Sequence, residues 1–106
     1  MSNEIYSIDE IKNIIAPIAK QHSVQRVFLF GSYARGDATS TSDIDLCIDS
    51  SNLKSLFALG GFYADLEDAL NKSIDIVTES SLKYNTDIYF LDNLRKDRLL
   101  IYDYAN

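Results

Sequence analysis

A chain of 106 residues, 46% apolar and 25% charged, has the composition of a folded protein rather than a disordered one, and its length allows one compact domain over residues 1–106. Acidic residues outnumber basic ones 16 to 10, and the formal net charge of −6 argues against autonomous binding to a nucleic-acid backbone. No apolar run approaches the roughly 20 residues that a membrane helix needs, the opening residues lack the basic and apolar parts of a secretory signal, and Cys47 is the sole cysteine, so the expected location is a reducing cytoplasm.

Ser7 with Glu10 three residues on reads as a capping box, and Ile8, Ile11, Ile14, Ile15, Ile18 and Ala19 follow at helical spacing. Pro17 inside that pattern is expected to kink the helix or loosen its last turn. His22 closes the helix, where a cation complements the helix dipole. Residues Val24 to Phe30 are rich in β-formers and read as a strand buried on both faces, ended by Gly31 and Ser32, with a helix start at Ser32. After a polar connector over residues 37–42, the stretch Asp43 to Asp49 alternates with period two and reads as a second strand. Leu53 to Lys72 has helical periodicity, with Gly60-Gly61 marking either a break or a close helix–sheet contact. A short strand over Ser73 to Thr78, a helix over about residues 86–96 and a final strand over Arg98 to Tyr102 complete the order. The expected fold class is α/β (α+β), a small mixed β-sheet with helices packed on it.

Asp43 and Asp45 stand two apart on a strand, so both carboxylates project from one face while Ile44, Leu46 and Ile48 anchor the other in the core. Like charges at 4 Å repel by about 4 kcal/mol at an effective dielectric of 20. A divalent cation removes that repulsion, and Mg²⁺ prefers oxygen ligands together with substrate phosphates. Asp75 lies in the next strand, and if that strand pairs beside the first it adds a third carboxylate. Gly31 lets the backbone approach a ligand closely, Ser32 adds a hydroxyl and a backbone N–H, and Arg35 is a candidate for charge-assisted hydrogen bonds to phosphate. Asp37 and Asp49 read as a turn residue and a solvated strand end. Cys47 reads as packing, since no basic neighbour lies near it in sequence. Tyr33 sits inside the turn, with packing at least as good a reading as flanking a nucleotide. Lys83, Arg95, Lys96 and Arg98 read as a solvated face balancing Asp87, Asp92 and Asp97, and the aromatics between residues 84 and 104 hint at an interface.

Gly31-Ser32, then Asp43-x-Asp45 after ten residues, then Asp75 on an apolar strand, together with the local text Gly-Ser-Tyr-Ala-Arg-Gly-Asp-Ala and Ser-Asp-Ile-Asp-Leu, resembles the DNA polymerase β-type nucleotidyltransferase superfamily. The resemblance is strongest to its minimal nucleotidyltransferase (MNT) antitoxin branch. It implies a nucleotidyltransferase fold in which Asp43, Asp45 and Asp75 hold two Mg²⁺ ions and carry catalysis, while Gly31 and Ser32 grip the phosphates of ATP. In that branch the partner is a HEPN-domain toxin, an RNase-like protein, and the reaction moves AMP from ATP to a toxin tyrosine. Two other readings remain open at this point: a non-catalytic antitoxin that acts by binding and occlusion, and a small-molecule nucleotidyltransferase of the aminoglycoside-modifying type.

Overall fold

The protein was analysed as a computed structural model that describes residues 4–50 and 56–105. Helix α1 (Ile8–Gln21) starts as its sequence requires: the Glu10 N–H donates to Ser7 Oγ at 3.0 Å and the Ser7 N–H donates to Glu10 Oε1 at 2.8 Å. Its apolar stripe buries Ile11, Ile15 and Ala19 completely, and the helix runs through Pro17 to Gln21. Strand β1 (Arg26–Phe30) leads directly into a short helix α2 (Gly31–Arg35), closed by Gly36 in the left-handed region. Strand β2 (Ile44–Asp49) follows, and helix α3 (Leu56–Leu70) connects it to β3 (Ile74–Thr78). A 3-10 helix (Glu79–Tyr84), helix α4 (Ile88–Asp97) and β4 (Leu99–Asp103) complete the described chain. Of the two outcomes expected at Gly60-Gly61, the break does not occur: α3 is continuous through both glycines, because Phe62, Leu66 and Leu70 hold it against the core beyond the weak spot and the partly buried Leu59 packs ahead of it. The expected start of this helix at Leu53 lies outside the described residues.

The four strands lie in the order β3-β2-β1-β4. Strand β1 is antiparallel to both β2 and β4, whereas β2 and β3 are parallel and joined by the α3 crossover. Strand alternation then divides the core in two. Val27, Leu29, Ile44, Leu46, Ile48 and Ile74 meet α1 and α3 on one face. Phe30 and Cys47, with Phe28 and Val77 partly buried, meet Leu82 and α4 residues Phe90, Leu91 and Leu94 on the other. Each fully buried aliphatic or aromatic side chain contributes about 1.5–3 kcal/mol, so the larger cluster dominates the fold's stability. A tether closes one end, where the Tyr6 hydroxyl donates to the Leu70 carbonyl at 2.8 Å.

Candidate active site

The pairing of β2 with β3 sets Asp45 directly opposite Asp75, and the pairing of β1 with β2 sets Asp45 opposite Phe30, one residue before Gly31. Residues matched across neighbouring strands share a face, so Asp45 and Asp75 stand together on the side away from α1 and α3. Asp43, one residue ahead of β2, falls in the same alternation. Asp45 is half-buried and Asp43 and Asp75 are exposed. Burial, then the charges of Asp75 and Asp43, push the Asp45 carboxyl up to about 6, while the Arg35 guanidinium pulls the other way. Asp43 and Asp75 therefore both act electrostatically on Asp45, the innermost of the three.

Gly31 has φ +74°, a conformation that L side chains resist. A methyl group built there would overlap the Asp45 carboxylate, so glycine at this position is what lets the β1–α2 turn lie against the acids. Ser32 is half-buried in the same turn. Arg35 is exposed and donates to Asp37 (3.4 Å) and Asp97 (3.2 Å), and it lines a cleft of about 190 Å³ with Gly31, Phe90 and Asn93. Tyr33 packs into the main core, with its hydroxyl buried and without a hydrogen-bond partner. On the opposite flank, Tyr63 of α3 lines a cleft together with Asp75, and its phenol is pushed above its ordinary value by burial, then by Glu67, Asp75 and Asp43.

The arrangement suits an open Mg²⁺ site. Among the described residues no three acid, imidazole or thiol groups form a ready-made metal cage. Magnesium is ordinarily held by one or two carboxylates, several waters and substrate phosphates rather than by an all-protein cage. A half-buried carboxylate flanked by two exposed ones beside a cleared turn matches that donor chemistry.

Several side chains outside the acid set gain partners that sequence distance hid. His22 caps α1 as expected, and its Nε2 also lies 2.6 Å from Asp65 Oδ2. Cys47 was expected to lack a basic neighbour, but Arg98, 51 positions later, reaches it in space while also donating to Glu79 and lying 4.3 Å above the Phe28 ring. Burial nevertheless prevails, with Glu79 assisting, and the thiol is pushed up to about 11. Cys47 should accordingly resist iodoacetamide near neutral pH in the folded protein and react fully in denaturant; rapid native alkylation, followed by mass, would contradict the buried placement. Lys96 pairs with Asp92, and Arg26 pairs with Asp49.

A model of the family described as "Polymerase beta, Nucleotidyltransferase" matches residues 12–106. The chain belongs to this nucleotidyltransferase family. The nucleotidyltransferase is 39% identical over 94 residues, 89% of this chain and 91% of the relative, to a Methanocaldococcus jannaschii protein provisionally named protein adenylyltransferase MJ0435. It is 33% identical over 81 residues, 73% of this chain and 82% of the relative, to protein adenylyltransferase MntA of Thermococcus cleftensis. These relatives place it in the MntA-like branch. Its fold is that of a chain in a toxin–antitoxin crystal structure with AMP-PNP (TM-score 0.67, 20% identity, 87% of this chain and 73% of that one). It is likewise that of a chain in a complex of tri-AMPylated Shewanella oneidensis HEPN toxin with MNT antitoxin (TM-score 0.64, 18% identity, 92% and 74%). Among the described residues no helix is long and apolar enough to cross a membrane.

Proposed function

We propose that this protein is the antitoxin of a HEPN/MNT toxin–antitoxin pair and transfers AMP from ATP to a tyrosine of its HEPN toxin. The observation that carries the reading is the register Asp45 opposite Asp75 beside Gly31, which gathers three carboxylates at the mouth of a turn cleared for a ligand. The relatives' names and the AMPylated HEPN toxin in complex with a chain of similar fold support the choice of a protein acceptor.

Asp43, Asp45 and Asp75 would hold two Mg²⁺ ions, which supply charge neutralisation at the triphosphate and a lowered pKa for the attacking hydroxyl. The chain's own residues do the rest. Gly31 and Ser32 offer backbone N–H groups and a hydroxyl to the β- and γ-phosphates. Arg35, one turn further, is placed to offset negative charge next to Asp45 once it exchanges Asp37 or Asp97 for phosphate. The acceptor oxygen forms a bond to the α-phosphorus, the bond from that phosphorus to the bridging oxygen breaks, and pyrophosphate departs with the electron pair. The hydroxyl proton passes to Asp75, the acid nearest the open edge of the sheet.

Intact-mass measurement of the HEPN toxin co-expressed with this chain should show added AMP groups, absent when Asp43→Asn and Asp45→Asn are combined. A stable complex whose toxin carries no added mass would overturn the transferase reading and leave binding alone as the mode of neutralisation.

A further inference from the structure

Among the described residues strand β3 is an edge of the sheet: it pairs with β2 alone, so the peptide groups on its outer side have no strand partner among them. Beside that edge runs a cleft of about 380 Å³, lined by Leu59, Gly60 and Tyr63 of α3 and by Ile74, Asp75 and Ile76. Three successive strand residues line it, so the cleft follows the strand. Alternation puts Ile74 and Ile76 on the α3 face and Asp75 on the face of the acids. The cleft therefore meets the candidate active site at Asp75.

Gly60 is the unexplained residue in this wall. A glycine inside a helix weakens it, and a Cβ at Gly60 would meet no atom within 4 Å, so nothing in the fold requires its absence. Gly61 differs, since a Cβ there would touch His22. Gly60 and Tyr63 share a helix face, and between them the floor of the cleft stays open.

We infer that the edge of β3 is the docking rail for the acceptor polypeptide: an extended segment adds alongside Ile74–Thr78, presents its hydroxyl residue on the Asp75 face, and sinks the adjacent apolar residue into the cleft over Gly60. The assignment rests on the protein-acceptor reading above. An extended peptide matches both features at once, because its main chain satisfies the strand edge while its side chains alternate between the two faces. A nucleobase would use the apolar walls but leave the strand edge unpaired. The opposed placement also suits an in-line displacement: the phosphate-binding turn follows β1, two strands from β3, so an acceptor arriving at β3 approaches from the side away from departing pyrophosphate.

The test uses the ¹⁵N-labelled protein and the blocked pentapeptide Thr-Val-Tyr-Val-Thr, with AMP-PNP and Mg²⁺ titrated separately. The peptide should shift the amides of residues 59–63 and 74–78 and slow exchange in β3. Gly60→Leu should weaken peptide binding by about tenfold or more while AMP-PNP still binds, and Asp68→Leu, which puts the same side chain on an exposed part of α3, should leave both alone. An N-methylated peptide that cannot pair with the edge should bind no better than the blocked cleft. No peptide response along β3, or equal binding by Gly60→Leu, would sink the rail. So would loss of AMP-PNP rather than of peptide in Gly60→Leu, which would make the cleft a nucleobase pocket. Failure of AMP-PNP and Mg²⁺ to perturb Gly31, Ser32 or Asp45 in the unmodified protein is a separate result, and it strikes the transferase reading.

Discussion

Replacing Asp45 with Asn should make the metal-free protein more stable and, at the same time, nearly inactive. The Asp45 carboxyl is raised from its ordinary 3.8 to about 6 by burial and by its acidic neighbours. Between those two values the folded state binds the proton more tightly than the unfolded chain does, so stability falls as pH rises through that window and stays reduced above it. A shift of this size corresponds to about 3 kcal/mol, and partial exposure discounts it to about 1–2 kcal/mol. Asparagine resembles the protonated acid, so the variant should match the parent near pH 4 and melt about 5–10 °C higher near pH 8 in chelator. If Asp45 helps to hold the proposed Mg²⁺, its loss should lower AMP transfer by about 10³-fold. Thermal melts at the two pH values, beside toxin intact mass, check both halves. An Asn variant less stable than the parent at high pH would show that the carboxylate is satisfied locally rather than held in reserve for a cation.

Gly31→Ala is the second large effect. Two penalties combine at this position: a left-handed backbone, which costs a non-glycine residue about 1–2 kcal/mol, and overlap between the new methyl group and the Asp45 carboxylate. The sum should reach about 2–4 kcal/mol in chemical denaturation, and transfer should fall by about 10²-fold or more as Asp45 is pushed off its position. Gly36→Ala is an internal comparison, because Gly36 has a similar φ of +85° but nothing within 4 Å. It should cost only the backbone penalty. Combining Gly31→Ala with Asp45→Ala removes the carboxylate clash and leaves only the residue-45 Cβ at 3.3 Å, so in that background the cost of the first substitution should drop toward the Gly36 level. An unchanged cost would mean that the clash contributes nothing and backbone strain alone accounts for the loss.

Local chemistry made much of the architecture readable. The Ser7–Glu10 box, the alternation through Ile44, Leu46 and Ile48, and the apolar spacing in α3 each set their element without help from distant residues. The acids were readable as a pair for the same reason, since Asp43 and Asp45 are related by strand period alone. Asp75 was conditional: whether it joins them depends on β3 lying beside β2 in register, a pairing between residues 30 positions apart. The contacts that stayed hidden are all of this long-range kind. Arg98 reaches Cys47, His22 reaches Asp65, and Arg35 turns toward Asp97, and no local pattern encodes any of them. Gly60 misled in a different way. As a helix breaker it argued for interruption, yet the buried residues Phe62, Leu66 and Leu70 outweigh its local cost and the helix continues.

The strand order has a consequence for how this protein comes into being. Strand β1, which carries the Gly31-Ser32 turn at its end, is flanked by β2 on one side and by β4 on the other, and β4 is the last described element to be synthesised. Until residues 99–103 emerge, the nascent chain holds Asp43, Asp45, Asp75 and both turn residues but exposes one flank of β1, a central strand. Completion of the sheet around β1 thus waits for β4, and chains stalled before it would present a sticky, half-built sheet to the cell's chaperones.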